Sequence, residues 1–130
     1  MKFPGDLRYT KTHEWVRQSQ GKMVVGITDY AQHEISDVVF VELPHVGQQV
    51  EGGKSVSIVE SVKAAFDIYS PVSGTIKAIN TMLESDPALA NQDPYGKGWF
   101  FEITPNKSEE WESLMTRDQY EHMIRQGAAG

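Results

Sequence analysis

The sequence predicts a mainly β fold, a sandwich or barrel with helices added at its edges. Three observations carry that prediction. Short apolar runs recur along the 130 residues, and Gly- or Pro-containing turns separate them. Helical spacing is confined to short peripheral pieces and to the C-terminal segment. The length suits one domain with a sizeable core, expected over 1–130 with its body at about 7–124 and a frayed tail at 125–130.

Taken in order, "EWVRQSQGKMVVGI" reads as a hairpin in which Trp15–Val16 and Met23–Ile27 flank a Gln20–Gly21 turn. Thr28 then suits the N-cap of one or two helical turns ending before Asp37. "VVFVEL", Val38 to Leu43, is a continuous apolar run of the kind buried on both faces, and Pro44 stops it. Gly47 and the Gly52–Gly53 pair mark turns. In Ser55–Ser61, Val56 and Ile58 share one face. After Lys63, Phe66 and Ile68 share a face, with Asp67 and Tyr69 on the other. Pro71 ends that strand, and Gly74 opens the next.

From Asn80 to Lys97 the chain reads as loop with a short helical piece, in which Pro87 suits a first helical turn. "WFFEI", Trp99 to Ile103, is the last buried strand. Two helices follow, each with a capping-box pattern, Asn106 with Glu109 and Thr116 with Gln119. Their apolar stripes, Trp111/Leu114/Met115 and Tyr120/Met123/Ile124, are core rather than cofactor contacts.

Composition narrows the chemistry. The net charge is −6, the opposite of what grips a polyphosphate backbone, so nucleic acid is not an expected partner. No run is long enough to span a bilayer. The N-terminus has neither the apolar stretch of a signal peptide nor the basic amphipathic character of a transit peptide, which makes a cytoplasmic protein the expectation. With no cysteine, thiolate metal sites and a Cys nucleophile are excluded. His13, His33, His45 and His122 are scattered without metal-ligand spacing. G-x-S-x-G, G-x-G-x-x-G and the Walker lysine pattern are all absent.

One feature stays chemically open. In "VESVKAAFDIYSPVSG" a single cation, Lys63, stands at the tip of a hairpin between two β-like runs. It suits a solvated turn lysine, an enzyme's amine or a handle for a covalent attachment. Its neighbours Glu60 and Asp67 favour the protonated amine, which weakens the nucleophile reading. A plain turn lysine and a displayed handle remain.

"THEWV", "VGITDYAQ", "VVFVELP", "ESVKA", "SPVSG" and "DPYGKGW" resemble, in order and spacing, the glycine cleavage system H protein family, from about Leu7 to Ile124. Gly47, sixteen residues before Lys63, and Gly74, eleven after it, resemble the bracketing pair of lipoyl and biotinyl domains. The resemblance implies a flattened β-barrel (a barrel-sandwich hybrid) with added helices, and a non-catalytic carrier. It implies lipoic acid joined covalently to Lys63, with Glu60 and Asp67 flanking the attachment point. The implied partners are the pyridoxal-phosphate glycine decarboxylase (P protein), the tetrahydrofolate-dependent aminomethyltransferase (T protein), dihydrolipoamide dehydrogenase (L protein) and a lipoyl or octanoyl attachment enzyme. The carrier itself is expected to be a monomer. Thr12, Glu14 and Asp67 match the positions of a cleft where the loaded arm rests. An absent thiol would then also spare the cofactor from exchange.

Two positions depart from the family pattern. Phe66 stands where a small residue, commonly serine, is usual, and either walls the arm's groove or packs on the barrel rim. Some members carry a histidine at position 34, where this chain has Glu34 after His33. Among rival readings, a biotin carrier would place methionines where Val62 and Ala64 stand. The lipoyl domain of a 2-oxoacid dehydrogenase usually reads Asp-Lys-Ala. An H-like protein relaying lipoyl groups to such complexes, and an unmodified interaction domain, remain as alternatives.

Overall fold

The computed structural model describes residues 1–129. Two sheets form. The larger, six-stranded, runs in the order β1 (Arg8–Tyr9), β2 (Glu14–Ser19), β3 (Lys22–Ile27), β9 (Phe101–Pro105), β8 (Gly74–Ile79), β5 (Gln49–Val50). The smaller has three strands, β4 (Val38–Glu42), β6 (Ser55–Ser61) and β7 (Ala65–Tyr69), in that order. Helices α1 (Asp29–Ile35), α2 (Met82–Ser85), α3 (Leu89–Gln92), α4 (Glu109–Ser113) and α5 (Arg117–Ala129) lie around them. This is the barrel-sandwich arrangement, in which two sheets share a core without closing into a continuous barrel among the described residues. Among the described residues, no helix is long and apolar enough to cross a membrane.

Local chemistry explains the elements that frame the site. The β2–β3 hairpin turns through Gln20 (φ 50°) and Gly21 (φ 79°), the paired positive φ values of a two-residue turn whose twist matches its strands. Thr28 caps α1 as expected, its Oγ1 accepting from the Ala31 N–H at 3.1 Å. Gly74 is required where β8 meets β9, because a Cβ there would stand 2.2 Å from the carbonyl oxygen of Thr104. At α5 the capping box forms in both directions. The Thr116 N–H donates to Gln119 Oε1 at 2.9 Å, and the Gln119 N–H to Thr116 Oγ1 at 3.3 Å.

The core has two parts. The main cluster fills the space between the sheets with Val16, Val25, Ile27, Val59, Ile76, Phe100 and Phe101, among others. The second joins Leu7, Tyr9, Trp15 and Tyr120 beneath α5. There the rings of Tyr9 and Tyr120 stack at 4.8 Å, and Trp15 Nε1 donates to the Pro94 carbonyl at 2.9 Å.

Several expectations are corrected. β4 is not buried on both faces: Val38 and Val41 are buried, but Val39 is 55% and Phe40 50% exposed. A bulge between Val38 and Phe40 shifts the register against β6 and turns both side chains outward. On β6 the buried residues are Ser57 and Val59, while Val56 and Ile58 are half-buried and Val56 packs against the core. The Asn106/Glu109 box does not form, since α4 starts after Ser108 with no side-chain cap. Leu114 and Met115 lie beyond α4, and Met115 instead exchanges two backbone bonds with Tyr9 at 2.8 Å each. The tail expected to fray falls in the last turn of α5 as far as Ala129, and Gly130 lies outside the described residues.

Candidate functional site

The site is built on the β6–β7 hairpin. Antiparallel pairing of Val59 with Phe66 and Glu60 with Ala65 leaves Val62, Lys63 and Ala64 at the tip. Ser61 holds that tip. Its N–H donates to the Ala64 carbonyl at 2.9 Å, and its Oγ accepts from the Lys63 N–H at 3.0 Å and the Ala64 N–H at 3.3 Å. This is the local hydroxyl-to-backbone bonding that makes serine a turn residue. A further bond, from the Val62 N–H to the Asp37 carbonyl at 3.0 Å, fixes the tip to the segment after α1. Lys63 is therefore an exposed side chain on an ordered base.

The Lys63 Nζ donates to the carbonyl oxygen of Glu34 at 3.0 Å. That carbonyl belongs to the last turn of α1, where free acceptors and the helix dipole both favour a cation. Glu34 also lines a cavity of about 300 Å³. Apolar walls come from Ile27 on β3, Ala31 and Ile35 on α1, and Phe66 and Ile68 on β7; Thr12, His13, Tyr30 and Asp67 add polar groups. At most roughly 14 Å of extended chain separates Lys63 from Asp67.

Thr12 is the partition to a second cavity of about 250 Å³, lined by Thr10, Thr12, Glu14 and Tyr69, among others. Glu14 is fully buried there. Its Oε1 accepts from the Thr10 and Thr12 hydroxyls at 2.6 Å each, and its Oε2 from the Tyr69 N–H at 3.2 Å. Burial pushes its carboxyl above the ordinary value, while these hydrogen bonds to the charged form pull back. Glu14 is thus a buried, fully bonded carboxylate and not an edge charge.

His13 takes up a left-handed conformation at φ 76°, uncommon for any residue with a side chain. Its Nδ1 lies 2.8 Å from the Tyr120 hydroxyl, which is 2.8 Å from Thr28 Oγ1. A chain of polar groups therefore links α5, the cap of α1 and the cavity wall. Burial holds the imidazole below its ordinary pKa.

Of the residues singled out from sequence, Lys63, Thr12, Asp67 and Phe66 come together around the first cavity, and Glu14 sits behind Thr12. Asp67 is exposed and accepts from Ser55 Oγ at 2.9 Å. Glu60 is exposed on β6 and lines neither cavity. Sequence reasoning missed His13 and Tyr30 as walls, the Glu34 carbonyl as the lysine's partner, and Thr10 as the second hydroxyl on Glu14. Only Ser61 had left a signal, a turn hydroxyl two residues before the lysine.

Comparison with known proteins points to one family. The family described as glycine cleavage H-protein matches residues 7–127. A glycine cleavage system H protein of Acinetobacter baumannii is 50% identical over 121 residues, covering 93% of this chain and 98% of its own. That of Thermus thermophilus is 48% identical over 128 residues, covering 98% and 100%. The crystal structure of a glycine cleavage system H protein from Mycobacterium marinum aligns with a TM-score of 0.86 at 38% identity, over 94% of this chain and 98% of that one.

Proposed function

Since the chain belongs to the glycine cleavage H-protein family, we propose that Lys63 is where it carries its lipoyl group. The protein is the lipoyl carrier of the glycine cleavage system. It takes the aminomethyl group of glycine from the pyridoxal-phosphate decarboxylase to the tetrahydrofolate-dependent aminomethyltransferase, and dihydrolipoamide dehydrogenase then reoxidises it. When attached, the lipoyl group supplies a disulfide that accepts the aminomethyl group. Relay of lipoyl groups to 2-oxoacid dehydrogenase complexes is not favoured, since the relatives above carry the cleavage-system name.

The observation that carries the assignment to Lys63 is the position of its amine. Nζ stands on an exposed, braced hairpin tip, yet bonds to the carbonyl of Glu34, a residue that lines a largely apolar cavity. An attachment enzyme can reach such an amine, and a mostly apolar arm can fold back from it out of water. The lining fits that group, with isoleucines and Phe66 for the alkyl and sulfur portion and Asp67 for a cation. Thr12 adds a hydroxyl for the ammonium of the transferred group, and Glu14, which accepts from that hydroxyl, stands behind it. Glu60 and Asp67 flank the attachment point, where the lipoyl or octanoyl attachment enzyme must approach.

We read the whole chain as one non-catalytic carrier domain, monomeric and cytoplasmic, which meets its partners through the arm. The test is reconstitution: fully lipoylated protein plus the decarboxylase should support glycine-dependent exchange of labelled CO2, and Lys63→Arg should not. No exchange by the lipoylated wild type would contradict the assignment.

A further inference from the structure

Phe66 is the aromatic ring nearest Lys63 on the hairpin that bears it, three residues beyond it; Tyr69, at the far end of β7, lines the second cavity instead. It pairs with Val59, whose side chain is fully buried. Phe66 itself is only half-buried, packing against the main core while also lining the cavity that Lys63 Nζ faces through Glu34. The core rings Phe100 and Phe101, in contrast, are fully buried. Phe66 is thus shared between the core and the cavity, whose apolar walls include Ile27, Ile35 and Ile68.

The polar groups of the cleft and this ring select for different things. Asp67 and Glu14 attract a positive charge, so they act on a carrier arm only while it bears an ammonium. An aromatic face needs no charge. It holds apolar surface, and it makes favourable contacts with divalent sulfur, whose polarisable electrons suit a ring at about 5 Å. A ring positioned within reach of Lys63 therefore contributes equally to a loaded and an unloaded arm.

Resting on the reading that Lys63 carries the lipoyl group, we propose that Phe66 is an arm-binding residue of this carrier. It walls the cavity against the sulfur end of the arm, so that the arm lodges there even when no aminomethyl group is attached. The unloaded disulfide is then shielded from reagents in solution, and its encounter with partner enzymes begins from the lodged state.

The test uses lipoylated full-length protein and tris(carboxyethyl)phosphine, which reduces the disulfide to a dithiol while it becomes the phosphine oxide with water as the oxygen source. Reduction is followed by thiol titration and intact mass. Phe66→Ser should be reduced roughly 3- to 10-fold faster than wild type, the range expected for losing one sulfur–aromatic contact and its apolar wall. Phe66→Leu, which keeps the packing but not the ring, should be at least about twofold faster, and it serves alone if the serine variant does not fold. Equal rates in wild type and Phe66→Leu would overturn the role of the ring, as would a wild-type rate in a folded Phe66→Ser protein. A lipoyl mass increment that persists in Lys63→Arg would instead overturn the attachment reading, a result distinguishable by mass before any reduction is started.

Discussion

The ammonium of Lys63 closes the C-terminal end of α1 by donating to the carbonyl oxygen of Glu34 at 3.0 Å. A helix end is an ordinary place for a cation, and such a contact at an exposed position contributes about 0.5 kcal/mol. Lys63 is therefore nearly dispensable for stability while standing exposed at the tip of the hairpin. Lys63→Gln is expected to change the unfolding free energy in urea by no more than about 0.5 kcal/mol. A loss of several kcal/mol would mean the lysine is a structural residue.

Ser61 braces the tip from below through its bonds to the Lys63 and Ala64 N–H groups. Ser61→Ala should cost about 1 kcal/mol and speed hydrogen exchange at those two amides, leaving exchange in β2 and β3 unchanged. Unchanged exchange at the tip would remove Ser61 from this role.

Glu14 titrates against its burial. Its folded pKa lies above the ordinary 4.5, so its contribution to stability is fully present below pH 4.5 and is lost as pH rises through the folded value. Urea melts at pH 4 and pH 7 should therefore show wild type losing stability relative to Glu14→Gln as pH rises. The opposite slope would mean that the Thr10, Thr12 and Tyr69 donors outweigh desolvation.

His13 has the reverse sign. Burial lowers its folded pKa below 6.5, so it contributes stability above that pH and loses it as pH falls toward the folded value. His13→Asn retains a residue that tolerates positive φ and lacks the titration. Between pH 7.5 and pH 5, wild type should lose more stability than this variant, and NMR titration of the imidazole should show the lowered pKa directly.

Much of the frame was legible in the sequence, because turn and cap chemistry is local. Gln20–Gly21, Thr28, the Lys63 hairpin tip and the Thr116/Gln119 box each depend on a few adjacent residues and appear where expected. What misled was burial. "VVFVEL" has the composition of a strand buried on both faces, but a bulge exposes Val39 and Phe40, and nothing in the run itself encodes a bulge. The site was half legible for the same reason. Lys63 and Asp67 share a hairpin, whereas Thr10, His13 and Tyr30 reach the cleft from β-turn and helix segments far away in sequence. Phe66, ambiguous in the sequence between groove wall and barrel rim, packs against the core and lines the first cavity.

In the proposed carrier a single amine, that of Lys63, bears the lipoyl group. Intact mass of protein produced in lipoate-supplied cells that co-produce an attachment enzyme tests it most directly. A single lipoyl increment is expected on the wild type and none on Lys63→Arg. No increment on the wild type, or an increment that survives in Lys63→Arg, would contradict it.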